Sequence, residues 1–302
     1  MHVFVTGGTG QTGPAIVAEL VRAGHRVTGL ARSDAAAGRL EELGAAALRG
    51  TLDDVEALSA GAARSDGVVH LAFGGADFSD PPAMTRRDVA AIRALGAPLV
   101  GTDRPLVVTS GTLVMPAGRV STEADAASPD SIGGLRYEGE QACLGLASRG
   151  VRSVVIRLAP TVHGPRDHGF VPMLIATARR TGFSAYVGDG SNRWPAVHRL
   201  DAAVLYRLAL ETAPAGSALH GVGEEGVPFR DIAGKIGERL GIPVRSVDAA
   251  DAAEHFGNPF MAIVYAADAP VSSAQTQRLL GWAPRHETLL DDLDRGDYFA
   301  AP

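Results

Sequence analysis

Three glycines near the start of the chain form the pattern that most directly suggests chemistry. Gly7, Gly10 and Gly13 follow an apolar run at residues 3–5 and precede a segment with apolar residues at helical spacing that ends at Gly24. In such a strand–turn–helix unit the first Gly allows a tight turn, the second lets the backbone approach a pyrophosphate, and the third lets helix pack against strand. Free N–H groups at the start of the helix then face the phosphates. We therefore predict that a dinucleotide is bound by this loop, that is, by Gly7, Thr9, Gly10, Gln11, Thr12 and Gly13.

The tip of the second predicted strand indicates which dinucleotide is bound. Residues 26–33 form this strand and its exit, and Arg32 and Ser33 lie where the chain meets the adenosine ribose. An acidic residue there would accept from the 2′-hydroxyl of NAD, whereas Arg accommodates the 2′-phosphate of NADP. A guanidinium forks onto phosphate oxygens, and the hydroxyl adds a donor. The sequence therefore favours NADP over NAD, and Asp34 is expected to cap the next helix.

The order of strand and helix patterns predicts the fold. Further strands are expected near residues 45–50, 67–73, 105–110 and 151–158, the last after a helix at 136–148. Alternating β-α units imply a parallel sheet with right-handed crossovers. We predict an α/β fold, a Rossmann-type doubly wound parallel sheet with a smaller C-terminal α/β substrate domain. The nucleotide domain is placed at 1–165, with 197–221 packing back onto it, and the substrate part at 166–196 and 222–302.

Several motifs along the chain resemble one enzyme family. The G-x-x-G-x-x-G spacing, the His-Leu-Ala run at 70–72, the Val-His-Arg-Leu-Asp run at 197–201 and the Leu-Gly-Trp-Ala-Pro run at 280–284 are similar to segments of the extended short-chain dehydrogenases/reductases, the NAD-dependent epimerase/dehydratase-like branch. The resemblance spans nearly the whole chain. It implies an enzyme that uses a nicotinamide dinucleotide. Separately, the loops at 73–82, 112–116 and 163–170 are breaker-rich segments at strand ends, and we expect them to border a substrate cleft.

The resemblance also implies further cofactor contacts. Leu52 and Asp53 stand where the family borders the adenine, and the strand end at Leu71, Ala72 and Phe73 would line the pyrophosphate and the nicotinamide ribose. Asp53 has the simpler alternative of capping the helix that follows it. The segment at 159–165 resembles the turn under the nicotinamide carboxamide, which adds Pro160 and Val162. Thr109, at the tip of the fifth strand, completes the predicted cofactor set.

The family's catalytic signature is incomplete in this chain. The family uses Tyr-x-x-x-Lys on the helix after strand five, where Tyr donates a proton to the developing oxyanion and Lys lowers the Tyr pKa. Here Tyr137 is followed by Gln141 at the Lys position. In a second register, Arg136 takes the Tyr position and Glu140 the Lys position. The sequence leaves both registers open, and Tyr137 also fits a plain aromatic on a helix face.

The strand tip that should carry the family's Ser departs as well. An ungapped alignment places that Ser on Gly111, so Ser110 and Thr112 flank the position. The predicted catalytic residues are therefore Tyr137, Ser110 and Thr112.

Composition limits the classes of partner. The chain has 302 residues, 46% hydrophobic and 21% charged, and a formal net charge of −6, which argues against nucleic-acid binding through a basic surface. No apolar run approaches the roughly 20 residues that span a bilayer, and a strand directly after Met1 does not fit a signal peptide. With only Cys143 there is no intrachain disulfide, and no metal-type Cys/His spacing occurs. We expect a soluble cytoplasmic protein, a monomer or homodimer, that binds a small-molecule substrate.

Three functions remain compatible with these residues. The favoured one is an NADP-dependent oxidoreductase that reduces a ketone, aldehyde or imine by hydride transfer. The second is a non-catalytic NADP sensor whose catalytic signature has decayed. The third is a nucleotide-sugar epimerase or dehydratase, with Arg179, Arg180, Arg193 and Arg230 as candidate diphosphate ligands.

Replacing Arg32 tests the choice of cofactor. A charge-assisted hydrogen bond contributes roughly 1.5–3 kcal/mol, so Arg32→Ala should weaken NADPH binding about ten- to a hundredfold and leave NADH binding nearly unchanged. Titration of both cofactors by fluorescence measures the two affinities. Equal losses for NADPH and NADH would mean that Arg32 does not contact the 2′-phosphate.

Overall fold

The computed structural model describes residues 1–73 and 80–300, in which the strands form one large and two small sheets. The strands are β1 (His2–Thr6), β2 (Arg26–Ala31), β3 (Ala46–Arg49), β4 (Gly67–His70), β5 (Pro105–Gly111), β6 (Arg152–Leu158), β7 (Thr161–His163), β8 (Ser184–Val187), β9 (Arg193–His198), β10 (Ser217–Gly221), β11 (Glu224–Pro228) and β12 (Val244–Val247). The helices are α1 (Gly13–Arg22), α2 (Asp34–Glu42), α3 (Val55–Ala63), α4 (Pro81–Gly96), α5 (Tyr137–Leu144), α6 (Phe170–Thr181), α7 (Arg199–Thr212), α8 (Phe229–Leu240), α9 (Ala252–Phe256), α10 (Pro259–Ala266), α11 (Ala274–Leu280) and α12 (Leu289–Arg295).

The large sheet has seven strands in the order β10-β6-β5-β4-β1-β2-β3, and every neighbouring pair is parallel. The chain winds outward from β1 through β2 to β3, then returns to the other side of β1 with β4. Strand order therefore reverses between β1 and β4, which creates the crevice where doubly wound folds bind ligands. The predicted Rossmann-type parallel sheet is confirmed.

Helices cover both faces of this sheet, which explains the apolar character of its strands. β4 is buried at every position and β1 at every position except His2, as expected when both faces are covered. On one face Ile16 and Leu20 of α1 share a core with Leu205 of α7. On the other face Leu58 of α3 and Ile92 of α4 share a core with residues of β4, β5 and β6.

A separate core lies among the C-terminal elements. It joins the three-stranded sheet β11-β9-β7, the parallel pair β12-β8 and the helices α6, α8, α9, α10 and α12. Trp194 of β9 is fully buried there, edge-on to Phe229 with 5.2 Å between ring centroids. Residues 197–221 carry α7 and β10, and β10 is an edge strand of the large sheet. The domain boundaries at 165, 197 and 221 stay a prediction.

The helices include one that is shorter than predicted. The helix expected at 136–148 is α5 at Tyr137–Leu144, flanked by 3-10 turns at Gly134–Arg136 and Ala147–Arg149. The second turn ends at Gly150, which has a φ of 75° that favours glycine. Within the two described ranges, no helix combines the length and apolarity needed to cross a membrane.

Two helical glycines offer a matched test of packing. A Cβ on Gly61 of α3 would lie 2.5 Å from the ring of buried Phe4, whereas a Cβ on Gly38 of α2 would have nothing within 4 Å. Overpacking a core typically costs about 1–3 kcal/mol, so Gly61→Ala should lower the free energy of unfolding. Gly38→Ala should raise it by roughly 0.5–1 kcal/mol through helix propensity.

Denaturant unfolding followed by circular dichroism measures both glycine variants. If the two substitutions change stability in the same direction, close packing of α3 on β1 does not explain Gly61.

Candidate active site

The glycine loop joins β1 to α1 and packs against the tip of β4. Gly7 has a φ of 72°, and a Cβ there would lie 2.7 Å from Ala72 N. A Cβ on Gly13 would lie 2.3 Å from the Gly7 carbonyl oxygen, whereas one on Gly10 would meet only that oxygen, at 3.3 Å. Thr12, at the N-cap position of α1, makes no side-chain capping bond. Crowded backbone at Gly7 and Gly13, a less crowded position at Gly10 and an uncapped helix start fit a dinucleotide pyrophosphate.

The side chain of Gln11 links this loop to the C-terminal part of the chain. Its Oε1 accepts from His168 N at 2.9 Å, and its Nε2 donates to Asp167 Oδ1. Asp167 also accepts from the Tyr298 hydroxyl at 2.8 Å. Burial and the Asp167 carboxylate raise the pKa of Tyr298, which keeps the phenol a donor. The Gln11 side chain therefore bridges the glycine loop to residues 167–168.

The residues predicted at the adenosine end lie together at the edges of β2 and β3. Arg32 and Ser33 are both exposed at the end of β2. Ser33 is the N-cap of α2, with its Oγ accepting from Ala36 N at 3.2 Å, so the expectation that Asp34 caps this helix is wrong. Asp34 instead pairs with Arg49 at 2.8 Å. Because a capping hydroxyl accepts through its oxygen, the Ser33 proton remains free to donate.

The two acidic residues of the turn after β3 have different partners. Asp54, rather than Asp53, caps α3 by accepting from Ala57 N at 3.0 Å. Asp53 accepts from Arg87 Nε at 2.7 Å, and both side chains are exposed. Leu52 is half-buried and packs against the core under α3 and α4.

The residues predicted at the nicotinamide end come from two strand tips. Leu71, Ala72 and Phe73 follow β4 directly and are half-buried, while residues 74–79 of the predicted 73–82 cleft loop lie outside the described residues. Pro160, between β6 and β7, is half-buried, and Val162 within β7 is buried.

The tip of β5 carries hydroxyls that are free for a ligand. Ser110 Oγ and Thr112 Oγ1 are buried and have no hydrogen-bond partner among the described residues. Thr109 Oγ1 is 2.6 Å from the hydroxyl of Tyr206, whose pKa is raised by burial. A cavity of about 310 Å³ opens beside the turn that follows this strand. Its lining is Leu113, Met115, Pro116, Ala117, Ser128, Asp130, Ser131, Ile132 and Ala269.

The residues of the two possible catalytic registers differ in exposure and in partners. Tyr137 is its first residue and is half-buried, and Gln141 one turn later is exposed. Arg136 directly precedes the helix, with 13% of its side chain exposed. Glu140 is fully buried in an ion pair with Arg157 of β6, with Oε2 2.9 Å from Nη2.

Arg136 ends a buried chain of polar side chains that the sequence alone did not indicate. Thr6 Oγ1 lies 2.6 Å from His70 Nδ1, and His70 Nε2 lies 3.1 Å from Asp88 Oδ1. Asp88 Oδ2 is 3.7 Å from Arg136 Nη1. In the sequence, only Asp88 could have pointed to this buried polar chain. It lies within an apolar-periodic helix, and an acidic residue on a buried helix face needs a partner.

The Arg136 guanidinium is fixed on three sides. Its Nη2 donates to the Thr109 carbonyl oxygen, and its carbon lies 3.8 Å from the centroid of the Phe73 ring. Its Nη1 is buried without a hydrogen-bond partner among the described residues. Burial lowers the pKa of Arg136 and the Asp88 carboxylate opposes this, so the group keeps its charge.

A second polar cluster surrounds His163, where the family usually has Tyr. His163 Nδ1 lies 2.9 Å from Asp292 Oδ2, and its ring meets His198 edge-on at 5.2 Å. His198 stacks on His286 at 4.7 Å, and His286 bonds Asp201 at 2.8 Å. Asp201 is thus a structural anchor for the C-terminal segment.

Comparisons with known proteins agree with this architecture. The sequence model of the "NAD dependent epimerase/dehydratase family" matches residues 3–220. An uncharacterized protein of Schizosaccharomyces pombe is 48% identical over 99% of this chain and 100% of its own. The 2-alkyl-3-oxoalkanoate reductase of Stenotrophomonas maltophilia is 30% identical over 80% of this chain and 77% of its own. A solved dTDP-glucose 4,6-dehydratase of Streptomyces venezuelae, with NAD bound, has a TM-score of 0.78 and 20% identity over 98% and 95% of the two chains.

The parallel sheet, its switch point and the glycine loop define a dinucleotide-binding α/β protein of the extended short-chain dehydrogenase/reductase type. The chain belongs to the NAD dependent epimerase/dehydratase family. The resemblance that the sequence motifs suggested is confirmed.

The histidine cluster predicts a pH dependence of stability. Burial, followed by the neighbouring His163 and His286, lowers the pKa of His198 from 6.5 to about 4, with Asp292 and Asp201 opposing the shift. Between these two values the unfolded chain binds a proton that the folded chain does not, so stability should be lost as pH falls from about 6.5 to about 4. Urea unfolding at a series of pH values measures this loss.

The control variant is His198→Asn. The His198 side chain caps α7 by accepting from Leu200 N at 3.2 Å, and Asn is an equally good N-cap that does not titrate. The variant should lose less stability across the same pH interval. An identical pH profile in parent and variant would assign the effect to other groups.

Proposed function

We propose that this protein is an NADP-dependent oxidoreductase that reduces a small or mid-sized organic carbonyl, a ketone or aldehyde, or an imine. The observation that carries the proposal is the β5 tip at the carboxyl end of the parallel sheet. Ser110 and Thr112 have hydroxyls there with no hydrogen-bond partner among the described residues, and the adjacent Thr109 carbonyl oxygen accepts from the charged group of Arg136. Such a set of donors can orient a carbonyl and stabilise negative charge on its oxygen. The 30% identity to a 2-alkyl-3-oxoalkanoate reductase supports the same class of reaction.

The cofactor would be held by residues at or just beyond the carboxyl ends of β1, β2, β3, β4, β5 and β6. These are Gly7, Thr9, Gly10, Gln11, Thr12, Gly13, Arg32, Ser33, Leu52, Asp53, Leu71, Ala72, Phe73, Thr109, Pro160 and Val162. The preference for NADP rests on the exposed Arg32 and Ser33, which have no acidic partner among the described residues. When bound, the cofactor supplies the hydride.

Each proposed catalytic residue has a distinct role. Ser110 and Thr112 donate hydrogen bonds that hold the carbonyl oxygen of the substrate. Tyr137, at the start of α5, donates the proton that completes the alcohol. Gln141 is exposed where the family has Lys, so no ammonium assists this phenol and reduction should run better than alcohol oxidation near neutral pH.

The test is NADPH oxidation followed by absorbance, with three probes: ethyl 2-methylacetoacetate, an aromatic aldehyde and a cyclic imine. We expect turnover with at least one probe, and Tyr137→Phe should lower kcat by about 10²–10⁴, the usual loss for general acid catalysis. Gly10→Val is the cofactor-site control, because its side chain would occupy the place of the pyrophosphate, while its Cβ would meet only the Gly7 carbonyl oxygen, at 3.3 Å. It should abolish NADPH binding while unfolding like the parent.

The outcomes separate the alternative functions. Tight NADPH binding without turnover would favour a non-catalytic NADP sensor. The absence of Lys at position 141 supports that hypothesis. Turnover of a nucleotide sugar by the protein with NAD bound would favour an epimerase or dehydratase, the activity of the solved dehydratase of similar fold. An unchanged kcat in Tyr137→Phe would remove Tyr137 as the proton donor.

A further inference from the structure

The Arg136 guanidinium is a buried cation with one nitrogen unused. Its Nη1 has no hydrogen-bond partner among the described residues, while Asp88 Oδ2 lies 3.7 Å from it. Leaving a buried donor unsatisfied is costly, and burying a charge is more so unless it is paired. Asp88 pairs the charge, and a ligand oxygen that accepts from Arg136 Nη1 would satisfy the remaining donor.

The position of this cation in the fold is that of a ligand-binding crevice. Thr6, His70 and Thr109 lie at the carboxyl ends of β1, β4 and β5, on both sides of the point where strand order reverses. The buried polar chain runs along these tips and ends at Arg136. Ligands of doubly wound folds bind in the crevice at this point.

Helix α5 makes Arg136, and not its register partner Glu140, available to a substrate. Both Oε atoms of Glu140 lie within 3.2 Å of Arg157 Nε, and the pair is buried. Glu140 therefore neutralises a cation of β6. Arg136, one turn earlier, instead donates to the Thr109 carbonyl oxygen at the β5 tip, next in sequence to Ser110.

The neighbours of Arg136 hold it in place. The Asp88 carboxylate pairs with the guanidinium, and the Phe73 ring lies against the guanidinium face. Gly139 makes room for that carboxylate, since a Cβ there would lie 2.5 Å from Asp88 Oδ2. A guanidinium held by an aromatic face and an anion has little freedom left to lose on binding a ligand.

We propose that Arg136 is a catalytic residue that binds the carbonyl oxygen of the substrate and stabilises the negative charge formed there, with Asp88 as its positioning residue. This inference rests on the proposed reductase function. As a hydride adds to the carbonyl carbon, the π electron pair moves to the oxygen beside Arg136. That oxygen then takes a proton from the Tyr137 phenol, which regains one from solvent. The charge of Arg136 thereby acts on the substrate oxygen itself, whereas the Lys of the family acts on the Tyr phenol.

The test uses isobutyrate, a carboxylate that resembles the charged oxygen, bound to the full-length protein with NADP⁺ and measured by calorimetry. We expect saturable binding in the parent and a loss of about ten- to a hundredfold in Arg136→Gln, the worth of one charge-assisted hydrogen bond. Arg136→Lys, which keeps the charge, should recover part of the affinity. Equal affinity in the parent and Arg136→Gln, or no saturable binding in the parent, would overturn the proposal.

Two control variants separate binding from general damage. Glu140→Gln also removes a buried charge from α5, but it should leave isobutyrate affinity within a few-fold of the parent's. Tyr137→Phe should keep isobutyrate affinity while it lowers turnover. If Glu140→Gln loses isobutyrate affinity as much as Arg136→Gln does, the effect is structural and the proposal fails.

The positioning role of Asp88 has its own readout. Asp88→Asn removes a negative charge near the anion, so isobutyrate affinity should be kept or raised, while turnover of whichever carbonyl probe is reduced should fall. A parallel loss of both would make Asp88 structural only.

The isobutyrate result also separates this inference from the proposed function. If no probe is reduced but isobutyrate binding depends on Arg136, the oxygen site stands and the reductase function falls. If a probe is reduced and isobutyrate binding is independent of Arg136, the reductase function stands and the Arg136 oxygen site falls.

Discussion

The close packing of the β1–α1 turn against the tip of β4 is the constraint on which the rest of the site depends. Gly7 turns with a positive φ, and no side chain fits between it and Ala72 N. This contact sets β4 directly beside β1, where strand order reverses and the crevice opens. The glycine loop and the β4 tip, where we propose that the phosphates and the nicotinamide bind, therefore share one wall, and a larger residue at Gly7 would move both.

Buried charges fix the other wall of the cleft. Helix α5 carries Arg136 before it and Glu140 within it, and each finds an opposite charge on a different element, Asp88 on α4 and Arg157 on β6. Because an uncompensated charge in the interior is very unfavourable, these pairs determine the rotation of α5 about its axis. That rotation places Gln141 in solvent and Arg136 beside the strand tip.

Polar contacts tie residues 167–168 to the nucleotide loop and the C-terminal segment to α7. Gln11 bonds Asp167 and His168, and the backbone N–H groups of Arg285 and His286 both donate to Asp201 at 3.0 Å. Contacts of this kind fix direction as well as distance. The Gln11 bonds hold residues 167–168 against the glycine loop, and the Asp201 bonds hold residues 285–286 against α7.

The sequence by itself determined the fold class, the glycine loop and the family, because these depend on local periodicity and on residue types at fixed spacing. It also placed Arg32 and Ser33 at the tip of β2. It failed at Asp34, where two adjacent residues could cap the same helix and only the backbone angle at Ser33 decided between them. The register of α5 was likewise open from the sequence, since adjacent residues on a helix differ by about 100° in direction and both patterns were present.

Only the tertiary structure decided which side chains of α5 are paired and which are free. The partners of Arg136 and Glu140 come from residues 88 and 157, far apart in the chain, and ion pairs between distant elements leave no periodic signal in a sequence. The same reason hid the contacts of Gln11 with residues 167–168 and the chain from Thr6 through His70 to Asp88. Each of these depends on which strand ends meet at the crevice, and that is a property of the assembled sheet.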